Sequence, residues 1–237
     1  MLWKLTEDLK GDDAPTHMAV IFDYSAKSYR TELYPQYKAH RPPAPEDLVP
    51  QFPLTRAATR AFNIPSIEME MYEADDIIAT YACMARDAGS KVTIVSSDKD
   101  LMQLVEPDGS IRMLDTIPRA GQPAMRWIGA EEVFAKFGVT PDKVIEVQAL
   151  CGDAVDNVPG VPGIGIKTAA ELINTFGDVE TLLSRLDEIR QPKRRQNLIE
   201  HAESARISRR LVTLDQKVPL ELPLDALARE PILPAKL

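Results

Sequence analysis

Two short apolar runs, Met18 to Phe22 (MAVIF) and Lys91 to Ser96 (KVTIVS), constrain this chain more than any other feature. The first ends at Asp23 and the second just before Asp98. Such runs, separated by helical stretches, predict strands of a parallel sheet buried on both faces, because crossover helices cover both sides. Ligands of such sheets gather beyond the carboxyl ends of the strands. Asp23, Asp98 and Asp100 fall there.

Between the two strands, Ala74 to Ala88 reads as a helix with an apolar stripe of Ile77, Ile78, Tyr81, Ala82 and Ala85. Leu2 to Leu9 reads as the end of an earlier one. Glu73, Asp75 and Asp76 occupy the first turn of the Ala74 to Ala88 helix, where acids complement the macrodipole and need no other purpose. That reading leaves unexplained why three acids precede a strand that itself ends in Asp-Lys-Asp. With Asp153 and Asp156 there are eight carboxylates in four acidic motifs. Two carboxylates about 4 Å apart repel by roughly 4 kcal/mol at an effective dielectric of about 20. A fold that gathers them needs divalent cations.

Cys83 and Cys151 lie far apart without CxxC or Cys/His spacing, which argues against a zinc site or disulfide framework and leaves oxygen ligands as the metal chemistry. The three histidines, His17, His40 and His201, form no triad spacing. No apolar run approaches the roughly 18 residues that a membrane span needs. The chain is therefore expected to be soluble and cytoplasmic, with no membrane partner.

The net charge of -8 counts against a nucleic-acid partner, but the acidic motifs supply much of it and bound metals would offset part. Local balance tells more. From Arg190 to Arg210 seven bases (Arg190, Lys193, Arg194, Arg195, Arg206, Arg209, Arg210) face two acids, Glu200 and Glu203. A solvated helical face is the plain reading of such a run. Tyr29 to Pro53 combines six prolines with Tyr29, Tyr34, Tyr37, Arg30, Lys38, His40 and Arg41. Alternating aromatic and cationic groups on a proline-limited loop suit a single nucleic-acid strand, and an ordinary surface loop is the alternative.

Glu131 to Phe137 and Asp142 to Leu150 are predicted helices, followed by a glycine-rich turn at Gly160, Gly163 and Gly165 and a helix from Ala169 to Phe176. Glycines let the backbone turn tightly and expose its amides, and Lys167 and Thr168 open the next helix, an arrangement that can hold a phosphate. The spacing fits neither GxGxxG nor GxxxxGK[ST], which disfavours a nucleotide-binding P-loop.

Four stretches carry a family resemblance: FDYSAKSYRTELYPQYKAHR (Phe22 to Arg41), YEADDIIATYA (Tyr72 to Ala82), VTIVSSDKDLMQLV (Val92 to Val105) and GDAVDNVPGVPGIGIKTAAELI (Gly152 to Ile173). In order and spacing they resemble the 5′ nuclease domains of bacterial DNA polymerase I, within the flap endonuclease family. The resemblance implies a PIN-like α/β domain at 1–128, a mostly parallel sheet with helices on both faces and an arch near 29–53. It implies a helical DNA-binding region at 129–237, with a helix-hairpin-helix (helix–three-turn–helix) module near 150–176.

It also implies roles. Asp23, Glu73, Asp75, Asp76, Asp98, Asp100, Asp153 and Asp156 match the family's acids for two or more Mg²⁺ or Mn²⁺ ions. Arg30 and Lys38 match groups that stabilise charge on the scissile phosphate, and Tyr37 and Arg41 match DNA contacts of the arch. Gly160, Val161, Gly163, Ile164, Gly165, Lys167 and Thr168 match the duplex-binding module, whose turn holds K⁺. The implied activity is a metal-dependent 5′ to 3′ exonuclease and 5′-flap endonuclease on flapped, nicked or gapped DNA, in replication and repair. A polymerase region of the same native chain is a further implied partner. The family's opening strand, which ends in another metal-binding Asp, does not precede Met1, so either Met1 is a misplaced or internal start or the chain is expected to be one ligand short with a sheet edge left open. Two other readings stay open: a structure-specific DNA-binding remnant with impaired chemistry, and a related nuclease acting on RNA.

Overall fold

A computed structural model describes Leu5 and residues 14–118, 121, 123 and 125–232. The helix expected at 2–9 lies outside the described residues except for Leu5. The fold is mixed α/β, with small, mostly parallel sheets followed by a helical region. Five strands form among the described residues: β1 (Val20–Ile21), β2 (Ser66–Ile67), β3 (Val92–Val95), β4 (Ile111–Asp115) and β5 (Arg126–Ile128). β1 pairs with β2 in parallel, Val20 opposite Ser66. β3 pairs with β4 in parallel, Val92 opposite Ile111, and β5 closes the second sheet antiparallel to β4.

Among the described residues the two sheets are separate, and α3 packs against strands of both. Burial on both faces holds for β4, where Ile111, Met113 and Leu114 are inaccessible. It fails for β3: Ile94 is buried, but Thr93 and Val95 face solvent.

Nine helices are described: α1 (Tyr29–Leu33), α2 (Gln51–Ala61), α3 (Ala74–Asp87), α4 (Ala130–Phe137), α5 (Val144–Cys151), α6 (Ile166–Phe176), α7 (Val179–Ser184), α8 (Pro192–Glu200) and α9 (Ala202–Val212). α3 forms where predicted, with Ile77, Tyr81, Ala82 and Cys83 inside. The proline-rich segment is only partly a loop, since α1 opens it and Pro50 caps α2. Every residue from 39 to 55 is exposed.

The main core runs from Ala79 and Ile94 through Met113 and Phe137 to Leu150, Ile173 and Leu182. It ties the strand-bearing part to the helical part. Two smaller clusters flank it. One holds Tyr37 and Val158 against Leu211 and Val212 of α9, and the other holds Ile77 and Tyr81 of α3 against Val218 and Leu227. The loop after α5 meets the stretch around Lys38 beside the first of these.

A candidate metal and phosphate site

The end of β1, the first turn of α3, the turn after β3 and the loop after α5 meet around one polar cavity of about 140 Å³. Six carboxylates line it: Asp23, Glu73, Asp75, Asp98, Asp100 and Asp156. Asp23 leaves β1 and accepts a hydrogen bond from the Ala74 amide at 2.8 Å, which fixes the strand end against the N-terminus of α3. Asp98 accepts the Asp100 amide at 3.0 Å, so the Asp-Lys-Asp turn folds on itself. Gln148 of α5 donates to Asp100. Glu73 accepts from the Ser28 hydroxyl at 2.9 Å and from Lys38 Nζ at 2.7 Å.

Asp75 is the exception. Among the described residues it has neither a hydrogen-bond nor an ion-pair partner. Burial, followed by the charges of Asp98, Asp100, Glu73 and Asp23, pushes it up to about 8. Burial and Asp98 likewise push Asp100 up to about 6. Divalent cations would relieve both, and the donors fit them: the lining is rich in carboxylate oxygen and holds no Cys or His, a set suited to Mg²⁺ or Mn²⁺. Among the described residues no three acidic, His or Cys side chains are already gathered tightly enough to hold an ion alone. Like charges splay apart, and Asp23, Glu73 and Asp100 rest on protein donors.

The cations at the rim come from the expected segment. Lys38 has a left-handed backbone, φ 54°, in a turn whose Lys38 amide donates to the Asp156 carbonyl at 2.9 Å. This uncommon conformation carries Nζ to 2.7 Å from Glu73 and 3.7 Å from Asp156, and strain of this kind concentrates at functional sites. Arg41 pairs with the other oxygen of Asp156.

Four expected site residues stand differently. Asp76 is fully buried and absent from the cavity wall. Its carboxylate takes a bidentate ion pair from Arg30 at 2.6 and 2.7 Å, the Asp215 amide at 2.8 Å and the Glu73 amide at 3.2 Å. Those four donors occupy both oxygens, which leaves Asp76 no free lone pair for a metal. Arg30 is 1% exposed and borders the cavity, and four of its five N–H groups go to Asp76 and to the carbonyls of Leu211 and Thr213, so it is anchored beside the acids with at most one Nη1 hydrogen left for a phosphate. Burial raises Asp153, but its pairing with Lys99 and the hydrogen bond from the Val155 amide together hold it below the usual carboxylate range. Tyr37 is 5% exposed, with its hydroxyl 3.3 Å from Glu73 and 3.4 Å from Asp156. It supports the acids from below and offers no stacking face.

The glycine-rich turn divides similarly. Gly160 sits at φ 58°, and a Cβ there would meet the Gly152 nitrogen at 2.5 Å, so this glycine serves backbone packing. Val161 and Ile164 are core residues. Gly163, Gly165 and Lys167 are exposed and Thr168 is half-buried, at the start of α6. The Asn197 side chain of α8 donates to the Pro162 carbonyl at 2.7 Å, which sets basic α8 beside the turn. Of the seven bases between 190 and 210, Arg206 pairs with Glu180 and Glu203, and Arg209 with Glu146. The other five make no ion pair among the described residues.

Sequence reasoning missed Ser28, Gln148 and Lys99. Lys99 lay in plain view between two acids. The others carry no local signal.

Residues 1–138 match the family model of the 5'-3' exonuclease N-terminal resolvase-like domain, and residues 139–235 that of the 5'-3' exonuclease C-terminal SAM fold. DNA polymerase I of Rhizobium leguminosarum is 56% identical over 98% of this chain and 22% of that protein. The chain thus spans about a quarter or less of the polymerases it resembles. Flap endonuclease Xni of Cronobacter sakazakii (strain ATCC BAA-894) is 40% identical over 91% of this chain and 83% of its own length. A structure of T5 5'-exonuclease with bound divalent zinc ions shares the fold, with a TM-score of 0.73, 24% identity and coverage of 90% of this chain and 79% of that one.

Proposed function

From the chain's membership of the 5'-3' exonuclease family, with its resolvase-like and SAM-fold domains, we propose a metal-dependent nuclease that hydrolyses DNA at 5′ flaps and 5′ ends. The observation that carries this reading is the shared cavity of six carboxylates in which Asp75 has no donor among the described residues and is raised to about 8. Like charges held together at such a cost make sense as a cation site.

Asp23, Glu73, Asp75, Asp98, Asp100 and Asp156 would hold two or more Mg²⁺ or Mn²⁺ ions, several through bridging waters. Such ions activate a water and neutralise the leaving oxygen. Lys38, at the rim, leaves Glu73 to meet a non-bridging oxygen of the scissile phosphate, and Arg41 binds the neighbouring phosphate. Residues 39–55 guide the single-stranded 5′ arm past these cations. Gly163, Gly165, Lys167 and Thr168 bind duplex phosphates through amides at the start of an eleven-residue helix and through the lysine. K⁺ is proposed at the same turn. The Val161 and Pro162 carbonyls there already accept one bond each, and a carbonyl oxygen has a second lone pair for a cation. Asp153 acts through Lys99 rather than as a direct ligand. A polymerase region continuing the native chain, and a role in replication and repair, complete the proposal.

The test is a 5′-flap DNA substrate with and without Mg²⁺, beside a matched RNA flap. Cleavage of the DNA flap only with metal is expected. Metal-independent binding without cleavage would overturn the enzyme assignment, and preference for RNA would redirect the substrate.

A further inference from the structure

The acidic cavity and the glycine turn are joined through a buried polar path whose inner links, Asp76 and Ser208, lie outside the cavity lining. At the turn, the Gly160 amide donates at 2.8 Å to the hydroxyl of Ser208, a fully buried residue of α9. At the end of the same helix, the carbonyls of Leu211 and Thr213 accept Arg30 Nε at 2.7 Å and Nη2 at 3.0 Å. Arg30 grips Asp76 in two places, and Asp76 holds the Glu73 amide that opens α3. The Asp215 amide, just beyond α9, also donates to Asp76. A helix ends in unsatisfied carbonyls, and a buried guanidinium that satisfies two of them while neutralising a buried carboxylate is a rigid joint.

We propose that Arg30, Asp76 and Ser208 are positioning residues that fix the distance between duplex-binding turn and acidic cavity, and thereby select which phosphodiester is cut. The inference rests on the nuclease reading above. Successive phosphates of one duplex strand lie about 3.4 Å apart along the axis, so play of about half that between grip and cavity lets a neighbouring phosphate compete. Misplacement by about 1 Å can already cost a hundredfold in rate at one position. A joint of short bonds between buried groups limits such play, whereas exposed ion pairs do not.

The variants are Arg30→Lys, which keeps the charge but loses the fork, and Ser208→Ala, which keeps the ion pair and cuts the link to the turn. Both are incubated with a 5′-flap DNA and Mg²⁺, and products are sized at single-nucleotide resolution. In the metal-free proteins, amide hydrogen exchange is followed at Glu73 and Asp215. Wild type is expected to give one dominant incision. Arg30→Lys is expected to move at least about a fifth of the product to an adjacent position and to speed exchange at both amides about tenfold. Ser208→Ala is expected to spread incision in the same direction. Unchanged product positions in both variants would overturn the proposal even if the rates fall, because a merely stabilising pair lowers rate without moving the cut. If Arg30→Lys fails to fold, Ser208→Ala alone decides. If wild type itself cuts no flap, the nuclease reading fails, and unchanged exchange in Arg30→Lys would reject the joint separately.

Discussion

Replacing Asp75 by asparagine is expected to make the metal-free protein more stable while abolishing most of its cleavage. Among the described residues Asp75 is the one lining carboxylate without an intramolecular donor, and burial and the neighbouring acids raise it from the ordinary 3.8 to about 8. At about 1.36 kcal/mol for each tenfold change in proton affinity, that corresponds to at most on the order of 6 kcal/mol. Four acids share the repulsion and can swing apart, so roughly 2 kcal/mol is the expected gain on neutralising one member. For a chain of this size, that raises Tm by about 4–8 °C.

The pH dependence has a definite sign. A carboxyl whose folded-state value lies above its unfolded one contributes fully below about pH 4, and that contribution is lost as pH rises toward about 8. Metal-free wild type should therefore lose stability between pH 5 and 9 more steeply than Asp75→Asn. Mg²⁺ stabilises whatever binds it, so the order of the two proteins should narrow or reverse as metal is added. The assay is thermal unfolding in chelator and in Mg²⁺ at several pH values. If Asp75→Asn melts at or below wild type in chelator at pH 8, the electrostatic account of the cavity is wrong.

Lys38→Ala should lower the cleavage rate about a hundredfold or more, as loss of one preorganised donor does, while flap affinity in the absence of cleavage changes little. Comparable losses in rate and affinity would make Lys38 a mere binding contact. Lys167→Ala should weaken duplex affinity and reduce the slope of log affinity against log salt by about one, and an unchanged slope would reject the phosphate contact. Gly160→Ala should cost on the order of 3 kcal/mol, because its Cβ would stand 2.5 Å from the Gly152 nitrogen. Gly165→Ala, with nothing within 4 Å and an ordinary φ, should be nearly neutral for stability. Equal melting temperatures for the two glycine variants would refute that distinction.

What the sequence displayed, and what it hid, follows from distance along the chain. Strand ends and the start of α3 are local events, so the apolar runs and the acids beside them point to Asp23, Glu73, Asp75, Asp98 and Asp100, which line one cavity in the structure. Local pattern cannot say which acid of a helical turn faces the site. Asp75 and Asp76 point about 100° apart on α3, and a partner 46 residues away settles which is inside. Arg30 then reaches Leu211, at a separation of 181 residues. No periodicity reports such a contact.

The same reasoning explains why two residues of the arch segment changed roles together. Tyr37 and Arg30 look in sequence like the aromatic and cationic groups of a nucleic-acid surface, alternating with prolines. The chain after α1 turns back beneath the cavity, where Tyr37 packs on Val158 and Leu211 while the next residue, Lys38, swings into the left-handed region and faces the acids. One buried aromatic anchor thus makes the adjacent strained cation possible. Burying Tyr37 supplies the packing that holds φ of Lys38 at 54°, and a surface loop of the same composition would relax it. Buried support and reactive rim are therefore one structural unit. Substitutions at Tyr37 and Lys38 should be read as a coupled pair, with the loss from both smaller than the product of the losses from each.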